Sequence, residues 1–211
     1  RWASPQTVIG DFNNVTWTFK NIEVDSIKGG KEKINGSIKL WTDGKNYFFT
    51  VLDKDNEKNN QPYQVVKTLG GKWDQHYETK VGESFYPTPM RWSVIDRAWL
   101  LGGYRPGDWF LGDGSPDGTP RHPERLLKER RDRVAEGKCA GCHMTGYRPA
   151  FDAETKLWRG NPEAELGISC EKCHGPGSLH VSESQDPEAA GQKVFTLRPA
   201  KIIHPLKDLK T

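Results

Sequence analysis

Polar and apolar residues alternate along the first hundred positions with the two-residue period of β-strands. The alternation is clear over residues 15–20 (VTWTFK), where every second side chain is apolar. Two further apolar runs, 38–42 and 47–51, flank Asp43 and Gly44, a dipeptide typical of tight hairpin turns. The pattern therefore predicts a strand over each run, with a hairpin between the second and the third.

The same pattern continues towards residue 100. Runs at 63–67 and 73–79 are separated by Gly70 and Gly71, and further strands near Phe85 and over 90–95 would complete a meander. Many of the alternating positions hold Trp, Tyr or Phe. We expect these rings to serve core and cross-strand packing rather than to bind a ligand.

The pattern changes after residue 102. Residues 102–120 hold six Gly and three Pro, which predicts a long loop or linker. Residues 123–136 start with Pro and precede Gly137, so they predict a helix, and their mixed charges favour a solvated face. A second helix is predicted to start at residues 161–163 (NPE), which combine an N-cap, a proline and an acid.

Composition divides the chain near residue 112. Seven of the eight Trp precede this point, and all four Cys follow it. We therefore predict an α+β protein with a β-rich, meander-like or sandwich-like domain over 1–112. A loop-rich segment with short helices would occupy 113–211. Leu, Ile, Val and Phe are only 42 of the 211 residues, so a further component must supplement the core.

Charge and hydropathy exclude two classes of partner. The 31 Lys and Arg residues nearly balance the 28 Asp and Glu residues, for a net charge of +3, which gives no electrostatic basis for nucleic-acid binding. No apolar run approaches the roughly 18 residues of a membrane span. We expect neither nucleic acid nor a membrane-spanning segment.

The cysteines carry the strongest chemical signal. They form two Cys-x-x-Cys pairs, and a histidine follows each pair at once: Cys139, Cys142 and His143, then Cys170, Cys173 and His174. This is the attachment signature of haem c, in which two thiols bond to one porphyrin edge and the histidine is the proximal iron ligand. The sequence therefore predicts two haem c groups, whose flat apolar rings would supplement the core.

Three other interpretations remain for these pairs. Twenty-seven residues separate the pairs, where a zinc ribbon usually has roughly 15–20, and zinc needs no histidine after each pair. A thioredoxin-like dithiol uses a single pair beside a βαβ unit. Two plain disulfides are compatible with an exported protein. Haem c accounts for all six residues, and we favour it.

The second motif also carries a family resemblance. Residues 167–180 (GISCEKCHGPGSLH) closely resemble a haem segment of exported multihaem c-type cytochromes, the group related to the tetrahaem cytochromes of hydroxylamine oxidation. Residues 139–147 (CAGCHMTGY) are similar to the penultimate haem segment of that family. Residues 9–13 and 70–77 are similar to an N-terminal β segment found in some members. The resemblance implies a c-type cytochrome in the periplasm, outside the cell or at its surface, and the two motifs of this sequence make it a two-haem member.

Four histidines outside the motifs are candidates for the distal iron ligands, and we expect bis-histidine ligation. His180 matches a histidine of the family segment, and we assign it to the first haem. His122, just before the predicted helix, is our choice for the second haem. His204 and His76 are lower-ranked candidates, and a ligand from a neighbouring chain stays open.

These features favour a dihaem cytochrome that transfers single electrons between redox partners or copies of itself, and not an enzyme. One alternative is a subunit of a multi-cytochrome conducting assembly or filament, an oligomer with haem contacts between chains. Another is a haem redox enzyme, which needs one open iron position with acid and base groups nearby.

Overall fold

The computed structural model describes residues 2–3, 8–25, 30–102, 106–110, 134–161 and 164–174. Within these ranges the strands are β1 Trp2–Ala3, β2 Val15–Asp25, β3 Lys31–Thr42, β4 Tyr47–Val51, β5 Pro62–Gly70, β6 Asp74–Val81, β7 Ser84–Ser93, β8 Ala98–Leu101, β9 Met144–Thr145, β10 Ala150–Asp152, β11 Leu157–Arg159 and β12 Glu165–Leu166. The α-helices are α1 Ala135–Lys138, α2 Ala140–His143 and α3 Glu171–His174. Short 3-10 turns span Glu57–Asn59 and Pro106–Trp109.

Seven of the strands form an antiparallel meander in chain order, from β2 to β8, and β1 pairs with β5. The hairpin predicted at Asp43 and Gly44 is present: Thr42 pairs with Tyr47, and the Asp43 carboxylate accepts hydrogen bonds from the backbone N–H groups of residues 45 and 46. Gly44 takes a positive φ of 90°, which suits glycine. The turn residues thus set the register of this strand pair.

The sheet curls so that distant strands face one another. The ring of Phe12 lies 5.2 Å from that of Tyr47 on β4 and 5.2 Å from that of Trp99 on β8. These strands are four apart in the sheet, so only a curved sheet brings both to one side chain. The inner face encloses a core in which aromatic rings supply much of the buried surface.

Part of the glycine-rich stretch that was predicted as a loop contributes to this core. Trp109 and Phe110 are 3% and 0% exposed, and the Trp109 indole donates a hydrogen bond to the carbonyl of Pro87 at 3.0 Å. The ring of Phe110 meets Phe19 edge to face at 5.2 Å. These two residues therefore hold the end of the β-rich part against its own sheet.

The helix predicted over 123–136 is confirmed at Ala135 and Glu136 and wrong at Val134, the other described residue of that range. Val134 is extended and buried in the main core, α1 begins at Ala135, and the helix continues through Gly137. Gly137 has a packing role instead of ending the helix, since a Cβ there would meet the Trp158 ring at 3.0 Å. Residues 123–133 lie outside the described ranges.

The helix predicted to start at residues 161–163 is also wrong for the residues that follow. Glu165 and Leu166 pair as a strand with Thr145 and Met144. The Asn161 side chain bonds to the backbone at Gly146 and Arg148 instead of capping a helix. No helix in the described part of the chain is both long and apolar enough to cross a bilayer.

Candidate haem-attachment site

The first Cys-x-x-Cys-His motif lies on a single helical segment formed by α1 and α2. Cys139 joins the two helices: its N–H donates to the carbonyl of Ala135 at 2.8 Å, and its carbonyl accepts from Cys142 and His143, both at 3.1 Å. Cys139 is half-buried and Cys142 is exposed, and both are free thiols. This backbone places two thiols and an imidazole within one helical turn.

The segment packs against the outer face of the β-rich part. Ala135, Ala140 and Met144 form a small apolar cluster with Leu69 of β5 and Phe85 of β7. The Phe85 N–H donates to both oxygens of the Glu136 carboxylate, at 3.1 and 3.3 Å. The attachment helix is therefore fixed to the sheet by apolar contacts and by a carboxylate that satisfies a strand N–H.

Three ionisable side chains meet where this helix lies on the sheet. Lys67 and Glu78 are register partners on β5 and β6, and Glu136 approaches them from α1. Burial raises the pKa of Glu78 to about 8 against the opposing effect of Lys67, and burial also raises the pKa of Glu136. Burial lowers the pKa of Lys67. Low local dielectric thus disfavours every charge in the group.

The same environment affects the first thiol. Burial, followed by the negative charge of Glu78, raises the pKa of Cys139 to about 11. The thiol therefore stays protonated at neutral pH.

Burial also affects two imidazoles at this site. Burial lowers the pKa of His143. Burial and then the positive charge of Arg91 lower the pKa of His76 on β6, and His143 contributes to the same shift. Burial thus favours the neutral form of both rings, the form in which histidine binds a metal. His76 is the only distal candidate from the sequence that falls within the described residues.

The second motif forms the short helix α3 at the end of the described chain. The N–H of Lys172 donates to the carbonyl of Ser169 at 3.1 Å, and that of Cys173 to the carbonyl of Cys170 at 3.3 Å. Both cysteines are exposed free thiols. The Lys172 ammonium donates to the carbonyl of Gly141 at 2.6 Å, so one side chain of the second motif contacts the backbone of the first.

Thr145 connects the two motifs a second time. Its N–H and its hydroxyl both donate to the carbonyl of Gly167, at 2.9 and 3.0 Å. The same hydroxyl accepts from the N–H of Ser169 at 2.9 Å and from the Ser169 hydroxyl at 3.1 Å. Because Thr145 lies two residues after His143 and Ser169 directly precedes Cys170, this threonine fixes the exit of one motif to the start of the other.

A cleft of about 460 Å³ opens beside the attachment helix. Aromatic side chains of Phe85, Tyr147 and Trp158 line it together with the cations Lys67 and Arg159. The Lys67 ammonium lies 3.5 Å from the centroid of the Phe85 ring. The aromatic walls suit a planar apolar group, and Glu83 and Glu136 also line the cleft, with Arg159 paired to Glu83 at 3.2 Å.

The structure brings together only part of the predicted ligand set. The four cysteines, His143 and His76 are described, as is the backbone of His174 in α3. His122, His180 and His204 lie outside the described residues, so their assignments stay predictions. Glu136, Thr145 and Lys172 were missed by sequence reasoning because each acts through a backbone group far away in the chain.

The donor set itself fits haem c. Each motif presents two unpaired thiols and a following histidine on one turn of helix. Among the described residues, no three His, Cys, Asp or Glu side chains gather into a possible metal site. Cys139 and Cys142 would hold one haem with His143, and Cys170 and Cys173 the other with His174.

Comparison with known proteins agrees with this donor chemistry. No curated protein and no solved structure matches the chain. Residues 119–175 match the family model of cytochrome c554 and c-prime. This segment contains both Cys-x-x-Cys-His motifs and ends one residue after His174. The match supports a c-type cytochrome family for this segment, and c-type cytochromes hold haem and carry electrons.

Proposed function

We propose that this protein is a dihaem c-type cytochrome that transfers single electrons between redox partners. One haem is bound at Cys139 and Cys142 with His143 on the iron, and the other at Cys170 and Cys173 with His174. The haem supplies one-electron exchange at its iron, and the chain holds, orients and partly buries it. Attachment of haem c to such motifs implies an exported protein, in the periplasm or at the cell surface.

The contact between the two motifs carries this proposal. Lys172 bonds to the backbone of Gly141, and Thr145 bonds to both Gly167 and Ser169. Two groups attached to these neighbouring turns lie close together, which favours electron transfer between them over two independent sites.

Mass measurement of the protein tests the haem count. The chain should be produced in a host that attaches haem c, and the intact mass should exceed that of the polypeptide by two haem groups. The double variant Cys139→Ala/Cys142→Ala should lose one haem, as should Cys170→Ala/Cys173→Ala. Gly141→Ala is the matched control, since a Cβ there meets nothing within 4 Å and both haems should remain. A polypeptide that gains no haem contradicts the proposal.

Spectroscopy of the same material separates electron transfer from enzyme chemistry. Two saturated irons should give a purely low-spin spectrum that carbon monoxide leaves unchanged. A high-spin fraction that binds carbon monoxide would instead show an open iron position and support a haem enzyme. The particle mass in solution tests the assembly alternative, because a strict monomer argues against a filament subunit.

A further inference from the structure

The attachment helix lies beside one imidazole of the β-rich part. Leu69 packs into the apolar cluster of Ala135, Ala140 and Met144, together with Cys139 of the first motif. His76 is the direct cross-strand partner of Leu69. Directly opposed residues of antiparallel strands point to the same side of the sheet, with Cβ atoms about 4.5–5.5 Å apart. His76 therefore projects on the side of the sheet that holds the first motif.

The neighbouring residue confirms this direction. Tyr77 is 1% exposed, and its ring packs against Phe12 and Trp99 in the core. Since successive strand residues point to opposite faces, His76 points outward from that core. His143 ends the helix that begins at Ala140, and Ala140 packs in one cluster with Leu69, the cross-strand partner of His76.

His76 also has the chemical state of a ligand. Within the described part of the chain its ring makes no hydrogen bond, and it is half-buried rather than solvated. The charged neighbours on this face, Arg91 and Asp74, are paired with each other at 2.6 Å. The ring therefore has free nitrogen atoms in a partly dry environment beside a haem-attachment motif.

We propose that His76 is the distal iron ligand of the haem attached at Cys139 and Cys142, opposite His143. This inference rests on the proposed function, because it requires the first haem to be present. The β-rich part then supplies an iron ligand as well as a support for the attachment helix. His180, which the sequence assigned to the first haem, is left available for the second.

The test uses haem-loaded protein with the variant His76→Ala. Thioether bonds at the cysteines hold the haem, so the haem content should not change. One of the two haems should become high-spin. In the ferric protein, half of the low-spin signal should therefore be replaced by a high-spin signal. In the reduced protein, that haem should bind carbon monoxide. Added imidazole should restore the low-spin spectrum, which shows that the haem is intact and that its sixth position has opened.

A variant that carries only the first haem shows which haem loses its ligand. In Cys170→Ala/Cys173→Ala, the change His76→Ala should convert nearly all of the low-spin signal, whereas His180→Ala should leave it low-spin. If His76→Ala destabilises the fold, His76→Met provides the second measurement, since thioether ligation keeps the iron low-spin and raises its reduction potential.

Two failures are distinguishable. If mass spectrometry finds no attached haem, the proposed function itself fails. If the haem is attached and the spectra of His76→Ala and His76→Met equal that of the parent, His76 is not a ligand and the inference is overturned. Conversion of the low-spin signal by His180→Ala in the variant that carries only the first haem would likewise overturn it.

Discussion

Aromatic side chains occupy many of the buried positions in this core. Trp109 shows how, because it combines two ring contacts with one hydrogen bond. Its indole lies 5.4 Å from Phe49 and 5.3 Å from Tyr63, and donates to the carbonyl of Pro87. A buried ring with a satisfied polar atom fixes both the position and the orientation of the residue.

We expect Trp109→Phe to lower the free energy of unfolding by about 1–3 kcal/mol, because the Pro87 carbonyl loses its partner in a buried place. Trp73→Phe is the matched control: Trp73 is 61% exposed and its loss should change stability by less than about 0.5 kcal/mol. Urea denaturation followed by circular dichroism measures both. Equal effects in the two variants would contradict this role for Trp109.

Glycine at position 36 is required by its neighbours. A Cβ there would lie 2.7 Å from Phe110 and 2.7 Å from Phe19, two buried rings that have no room to move. We expect Gly36→Ala to destabilise the protein by about 1–3 kcal/mol through overpacking. Gly141→Ala, where nothing lies within 4 Å, should be neutral or slightly stabilising. Thermal unfolding compares the pair, and an unchanged midpoint for Gly36→Ala would show that the rings can shift.

At the scale of elements, the described part of 134–174 consists of pieces too short to be stable alone. Each described helix there has four residues, and the β9–β12 ladder pairs two residues of each strand. Isolated helices need about 12–15 residues to be even marginally stable in water. Side-chain bonds from Glu136, Thr145 and Lys172 therefore hold these pieces in place.

Thr145→Val tests this at the junction of the two motifs. The change keeps the shape of the side chain but removes the hydroxyl that bonds to Gly167 and Ser169. We expect a loss of about 1–2 kcal/mol in stability, because the Ser169 N–H loses its acceptor while the Gly167 carbonyl keeps the bond from the N–H of residue 145. The distance between the haems should also become less uniform. A wider range of magnetic couplings between the irons should then broaden the lines in electron paramagnetic resonance.

The exposed Thr16 on β2 gives the control for that measurement, since Thr16→Val should alter neither stability nor coupling. If Thr145→Val leaves the coupling as sharp as in the parent, the β9–β12 junction does not set the spacing of the haems.

For the whole molecule, local chemistry explains what could be predicted from sequence. Alternating polarity and the Asp43–Gly44 turn lead directly to the β3–β4 hairpin, and the spacing of the cysteines leads directly to the two motifs. The errors in the helix predictions come from contacts between residues that are far apart in the chain. Gly137 looked like a helix end because its packing partner, Trp158, is twenty-one residues away. The closeness of His76 to His143 likewise depends on how a helix lies on a sheet.

The two parts of the chain should differ in their need for haem. Residues 8–25 and 30–102 form a meander with an aromatic core, while the described part of 134–174 adds Val134 and Trp158 to that core and otherwise contacts the sheet through the small cluster of Ala135, Ala140 and Met144. In a variant with all four cysteines replaced by alanine, we expect hydrogen exchange to stay slow in β2–β8 and to become fast across α1–α3 and β9–β12. Haem-loaded parent protein is the reference, and its exchange should be slow in both parts.

Slow exchange over 134–174 without haem would show that these pieces fold on the sheet alone, and fast exchange over 8–102 would show that the sheet needs the haems. Either result would contradict a division in which aromatic rings stabilise one part and porphyrin rings the other.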